Sequence, residues 1–148
     1  MKKLCVLILI CFSFAIKAQK NLKEEPIYST AGTAPRYPEG DRALFTFICQ
    51  NLVIPSEPLT EKNKNTVMVR FVVETDGNVT HPEIMKGIGT AYDKEALKVV
   101  NLLPKWEAGG ETKYGQWRPL RMYMTIPIKF FQNFSACEAS YNQIFTKK

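Results

Sequence analysis

The chain has 148 residues, a formal net charge of +6 and a hydrophobic fraction of 45%, which allows one domain with one core and nothing larger. A single histidine and four cysteines leave no ligand set for a histidine-based metal centre. No clustered run of Lys and Arg, and no interleaved aromatic patch, points to nucleic acid.

Met1-Lys2-Lys3, the apolar run Leu4 to Ile16 and then Lys17-Ala18-Gln19 form a secretory signal-peptide pattern over residues 1–18, with cleavage expected after Ala18. The apolar run has 13 residues, short of the roughly 20 that span a bilayer; an uncleaved inner-membrane anchor is the rival reading. Cys11 follows Ile10 rather than the small residue of a lipoprotein signal. Without residues 1–18 the basic count falls from 20 to 17 against 14 acids, so the mature charge is +3. Two cysteines remain, Cys49 and Cys137. In an exported chain they either pair or stay as two buried thiols.

Residues 19–34 are polar and punctuated by Pro26 and Gly32, the pattern of a tether. The domain itself is expected over 35–131. Asp41 is placed to cap a first helix with Ala43, Leu44, Phe47, Ile48 and Leu52 on one face, closed by Pro55 and Pro58. After a charged connection, Val67, Val69, Phe71 and Val73 alternate with Met68, Arg70, Val72 and Glu74, the period of a strand with one face buried. Asp76-Gly77 marks a hairpin of type I′, and the returning strand, about 79–86, carries Pro82, which predicts an edge or a bulge. Thr90 and Asp93 resemble a capping box before a helix with Ala91, Leu97, Val100 and Leu103 in register. Pro104 ends that helix, and Trp106 reads as a core plug behind it. A flexible loop is expected over 109–115. A last strand over 121–131 then alternates Met122, Met124, Ile126 and Ile128 against Arg121, Tyr123, Thr125 and Lys129, with Pro127 marking an edge. Residues 132–148 form a tail in which Tyr141, Ile144 and Phe145 could dock as a short helix. A right-handed crossover places the first strand centrally. The fold class is therefore α+β: a three-stranded antiparallel sheet of order 2-1-3 with two helices packed on one face.

Catalytic constellations are missing. His81 reads as an exposed edge residue rather than a general base. Asp93 and Glu95 suit the positive end of a helix. Ser56 and Ser135 lack a neighbouring histidine or a nucleophile elbow, and Gly87-Ile88-Gly89 lacks the lysine and further glycines of a phosphate loop. No enzyme, cofactor or metal is expected. An edge strand, in contrast, offers unpaired N–H and C=O groups to which an extended peptide can add as another strand.

The ordered set YPEGDRALFTFICQNLVIP, VMVRFVVETDGNV, DKEALKVV-LLPKWEAG and RMYMTIPIKF resembles the C-terminal domain of TonB, the envelope energy transducer of Gram-negative bacteria, in its Bacteroidetes-type form. The resemblance covers Pro35 to Phe130. It implies a periplasmic binding module acting in receptor-linked transmembrane transport, whose last strand, Arg121, Met122, Tyr123, Met124, Thr125 and Ile126, captures a segment of an outer-membrane receptor or other envelope protein. A homo-oligomer stays open. The family's Tyr-Pro segment falls on Ile54-Pro55, with isoleucine in place of tyrosine, and Tyr37-Pro38 offers a substitute ring. Asn65 stands where the family has glycine, and Ala108 where it has proline. The chain lacks the long proline-rich arm of true transducers, so a minimal membrane-anchored transducer and a non-transport envelope module are the alternative readings. If the tail folds back, it would cover the docking edge.

Overall fold

Val67, Val69, Phe71 and Val73 have no exposed surface, so every second residue of the first strand feeds one face into a core. The structure, a computed structural model, describes residues 25–58 and 65–146. Its elements run α1 (Asp41–Asn51), β1 (Thr66–Val73), β2 (Val79–Lys86), α2 (Thr90–Asn101), β3 (Gly110–Lys113), β4 (Gln116–Pro119), β5 (Met122–Lys129) and α3 (Phe134–Thr146). The main sheet is antiparallel with the order β2-β1-β5, the expected α+β arrangement with the first strand in the middle. Leu44 and Ile48 of α1 and Tyr92, Ala96, Val99 and Val100 of α2 meet Ile126 and Ile128 of β5 over that face. Full burial of a Val or Phe side chain stabilises by about 1.5–3 kcal/mol, so these positions dominate the fold. The export segment 1–18 lies outside the described residues, and among those described no helix is long and apolar enough to cross a membrane.

Pro82 acts as expected. Val72 pairs with Thr80 and Arg70 with Glu83, leaving Phe71 opposite both His81 and Pro82. His81 takes φ 51° and the strand bulges at the sheet edge, where the missing proline donor breaks no ladder bond.

The Asp76-Gly77 turn differs from expectation. Type I′ needs positive φ at both residues, yet of the two only Gly77 has it, at 85°. Gly77 N–H donates to Glu74 O and Glu74 N–H to Asn78 O, both at 2.9 Å, and Asp76 Oδ1 accepts the Asn78 N–H at 3.0 Å. The aspartate side chain thereby stabilises a wider loop whose last residue is left-handed. Positive φ at two consecutive turn residues occurs instead at Tyr114 and Gly115, with 52° and 76°. They join Lys113 to its partner Gln116, so the expected flexible loop is a second hairpin.

Both helices start one residue earlier than a side-chain cap would place them. Gly40 (φ 86°) precedes α1 and Gly89 (φ 149°) precedes α2, neither start having a side-chain cap bond. Asp41 therefore lies inside the first turn, where it suits the helix dipole. Thr90 is already helical, and Asp93 Oδ1 reaches back past the Gly89 N-cap to the Ile88 N–H at 3.0 Å, so the expected Thr90–Asp93 capping box does not form. The buried stripe of α2 is Tyr92, Ala96, Val99 and Val100. Leu97 and Leu103 are only partly buried against the core, because the Tyr92 ring takes the inward direction, edge-on to Phe130 at 4.9 Å.

Trp106 is the plug that its position after Pro104 suggests. Its ring stands edge-on to Tyr37 at 5.6 Å and to Phe71 at 5.3 Å, and its backbone N–H donates to Gly77 O at 2.8 Å. A Cβ on Gly77 would lie 2.1 Å from Trp106 O, so the β1–β2 turn and the Leu-Pro-x-Trp stop are packed backbone to backbone.

Residues 25–36, mostly within the expected tether, are docked instead. Thr33 exchanges backbone bonds with Gly110, both at 2.9 Å, and Arg36 with Glu107 at 3.0 and 2.8 Å. Main-chain bonds of this kind leave no side-chain pattern to read. The tail forms α3 and is tied to α1 by a Cys49–Cys137 disulfide with Cα atoms 5.9 Å apart, inside the range such a bond spans. Tyr141 stacks on Phe45 at 4.1 Å and meets Phe131 edge-on at 5.9 Å, and burial pushes its hydroxyl pKa up to about 12. The side chains of Ile144 and Phe145 lie outside the description.

Candidate functional site

β5 borders the sheet, and its unbroken register with β1 fixes which backbone groups face out. Pro127, which has no N–H, pairs with Met68, and Tyr123 with Val72. Tyr123 N–H donates away from β1, to Tyr28 O at 2.9 Å, so by the alternation of antiparallel pairs Thr125, Pro127 and Lys129 also face outward. Met122, Met124, Ile126 and Ile128 bond inward to β1. Side chains follow the same alternation: Met122, Ile126 and Ile128 are buried, whereas Thr125 and Pro127 are exposed.

The six expected edge residues therefore divide. Tyr123 and Thr125 carry the outward groups, while Met122, Met124 and Ile126 hold the strand to the core. Arg121 stands before the strand, and its Nε donates to Glu74 Oε2 at 2.6 Å, its Nη2 to Glu74 Oε1 at 3.1 Å and its Nη1 to Glu25 O at 2.8 Å. This fork holds the Glu74 carboxyl below the usual carboxylate range, with the Thr80 hydroxyl bond assisting. On the outer sheet face the Arg70 guanidinium lies 4.7 Å from the Tyr123 ring centre and pairs with Glu83 at 2.6 Å.

The covering of this edge differs from both expected alternatives. α3 packs against α1 and the disulfide, and its Tyr141 hydroxyl meets β5 at the far end, against the Lys129 backbone, rather than at the Arg121–Tyr123 end. Residues before the domain reach it instead: Tyr28 N–H donates to Arg121 O at 2.8 Å and pairs in parallel with Met122. Glu25, Tyr28 and Glu74 are site residues that sequence reasoning missed. A short Ile-Tyr pair between prolines gives too little signal for a strand, and Glu74 and Arg121 are 47 positions apart.

The Tyr-Pro-like segments also separate. Tyr37 is 8% exposed and its ring lies between Trp106 and Phe47, so it serves the core rather than an outer surface. Burial, assisted by Glu39, raises its hydroxyl pKa. Ile54 is 40% exposed and, with Pro55, lines an open groove of about 600 Å³ shared with Phe130 and Phe131. Asn65 has no positive φ. Its backbone O accepts the Phe130 N–H at 2.7 Å and its Nδ2 donates to Phe130 O at 3.0 Å, closing the far end of the β1–β5 ladder. His81 is an exposed edge side chain bonded to Thr80 Oγ1 at 2.9 Å. Among the described residues no group of His, Cys, Asp and Glu could hold a metal.

Residues 51–131 match the family model described as Gram-negative bacterial TonB protein C-terminal. No curated protein and no solved structure matches the chain. The matched residues span β1 to β5, but α1, which supplies Leu44 and Ile48 to the same core, lies almost wholly before them. With more than half of its length matched and the β2-β1-β5 sheet in place, the chain belongs to the TonB C-terminal domain family, non-enzymatic modules linked to transport through outer-membrane receptors.

Proposed function

We propose that this chain is an exported periplasmic module that captures an extended peptide of an outer-membrane receptor, or of another envelope protein, by strand addition to β5. The parity of that strand carries the reading. Thr125, Pro127 and Lys129 direct their backbone groups away from β1; beyond Tyr123 no described segment forms a bridge with them, and the Tyr141 hydroxyl meets the edge at Lys129 alone. An added strand gains affinity from main-chain bonds, so preference for partner sequence is loose. Ile54 and Pro55, beside Phe130 and Phe131, offer an apolar seat to partner side chains.

Thr125→Pro tests the reading. It deletes one outward donor at the parity that Pro127 already occupies, so the fold is kept. Met124→Pro, the control, deletes an inward ladder bond and destabilises the sheet. N-terminal peptides of outer-membrane receptors from the same genome are titrated against each form, with melting followed in parallel. One lost backbone bond is worth about 0.5–1.5 kcal/mol, or roughly two- to tenfold in affinity. A folded Thr125→Pro protein that binds as tightly as the parent refutes strand addition at this edge. Mass determination of the mature N-terminus checks export: a start at Gln19 agrees with it, and an intact Met1 contradicts it.

A further inference from the structure

The docking edge is already partly occupied by the chain itself. Tyr28 makes both backbone bonds of a short parallel pairing, donating to Arg121 O at 2.8 Å and accepting from Tyr123 N–H at 2.9 Å. Glu25 O takes a third bond from the Arg121 guanidinium, which Glu74 holds in place through two more. Thr33 and Arg36 anchor the following residues to Gly110 and Glu107, so the segment 25–28 is delivered to the edge by a fixed base only a few residues away. Of the outward positions on β5, Tyr123 is consumed by this pairing and Pro127 has no donor. Lys129 has the Tyr141 hydroxyl against its backbone, which leaves the Thr125 N–H as the outward donor without a backbone partner among the described residues.

We infer that residues 25–28 are an intramolecular competitor strand, and that a partner peptide gains its full footprint on β5 only by displacing them. The inference rests on the strand-addition reading above and adds its regulation. No buried side chain locks the segment: Glu25 and Pro26 are exposed, and Ile27 and Tyr28 only half-buried. Its hold is main-chain bonds at a solvent-facing edge, which open at low free energy. The Arg121–Glu74 fork remains when the segment leaves and presents the same guanidinium donor to whatever strand replaces it. A tethered segment docked about nine-tenths of the time lowers apparent partner affinity about tenfold, since only the open fraction binds.

The test uses the full mature chain and its Tyr28→Pro variant, which removes the donor to Arg121 O, together with the triple variant Pro26→Gly, Ile27→Gly, Tyr28→Gly, which makes docking entropically costly. Amide hydrogen exchange reads occupancy directly. In the parent the Tyr123 N–H is slower than the Thr125 N–H; equal rates overturn the competitor strand. In the variants the Tyr123 N–H speeds up, and a receptor N-terminal peptide binds about tenfold more tightly, whereas Tyr28→Ala, which keeps both backbone groups, changes affinity little. If Tyr123 is released in a variant that binds no tighter than the parent, the segment is not a competitor. If Tyr123 stays slow in both variants, the assigned pairing is wrong. If Tyr123 is released and neither parent nor variants bind any receptor peptide, docking at β5 itself fails, whatever the segment does.

Discussion

Truncating Trp106 probes a contact that joins the segment before α1 to the central strand β1. The side chain is 6% exposed and sits edge-on to Tyr37 before α1 and to Phe71 on β1, at 5.6 and 5.3 Å. Trp→Ala in a core costs about 3–5 kcal/mol through lost burial and the cavity left behind. Two aromatic pairs disappear as well, each worth about 0.5–1.5 kcal/mol beyond area, which places Trp106→Ala in the upper half of that range. Domains of this size hold about 5–15 kcal/mol in total, so the variant should melt about 15–30 °C below the parent. Trp106→Phe should recover more than half of the loss. It keeps a ring for both neighbours and deletes an indole Nε1–H that is buried without a hydrogen-bond partner among the described residues, a donor whose desolvation is otherwise uncompensated. Thermal and urea unfolding followed by far-UV circular dichroism measures both, because Trp117 persists and would confuse fluorescence. A Trp106→Ala protein that melts within a few degrees of the parent, or a Phe variant no better than the Ala one, refutes the plug.

Gly77→Ala should cost more than Gly40→Ala, measured as urea midpoints. Both sites have positive φ, at 85° and 86°, but only at Gly77 does the added methyl meet a backbone atom, 2.1 Å from Trp106 O, while nothing lies within 4 Å of Gly40; equal losses would show that the turn does not pack on Trp106. The mature protein should contain no free thiol when denatured without reductant, and replacing Cys49 and Cys137 by alanine should destabilise by about 4–5 kcal/mol in the chain-entropy account of an 88-residue separation; two free thiols per chain would remove the bridge. Because Arg121 holds the Glu74 carboxyl low in the folded state, the stability it contributes is present above the unfolded pKa of about 4.3 and is lost as pH falls through the lower folded value. Urea midpoints should therefore drop less steeply below about pH 4 in Glu74→Gln than in the parent, and parallel curves would refute the coupling.

The sheet was legible because its signal is local and periodic. Val67, Val69, Phe71 and Val73 repeat at the strand period with no competing reading, and Pro82 and Pro127 could sit only where a donor is dispensable. The turns were less legible, because Asp-Gly serves two hairpin types. The choice depends on whether the Asp76 carboxylate bonds to the Asn78 N–H, a side-chain event that dipeptide preference does not contain. The second hairpin was hidden for the opposite reason. Tyr114 stands where φ is positive and is 93% exposed; a tyrosine is a poor advertisement for a tight turn. The α2 stripe was misjudged by about one residue because Tyr92, amphipathic in composition, points its ring inward against Phe130.

The proposed docking edge was half legible, and the missing half is backbone. Which strand lies at the border followed from pattern and connection, and side-chain alternation separated Thr125 from Ile126. The occupancy of that border did not follow, because it rests on bonds between Tyr28, Arg121 and Tyr123 main chains that any residue except proline at a donor position could make. The charge that orders them, Arg121 between Glu74 and the Glu25 carbonyl, joins positions far apart in sequence. A site that recognises a partner through main-chain groups leaves little imprint on its own side chains, and the same holds for a segment that mimics the partner. What the sequence does preserve is the exclusion pattern. Pro127 lies at an outward position, so in the proposed mode an added strand would find its donors at Tyr123 and Thr125. Because Tyr28 holds the first of these, any partner that binds tightly must contest it.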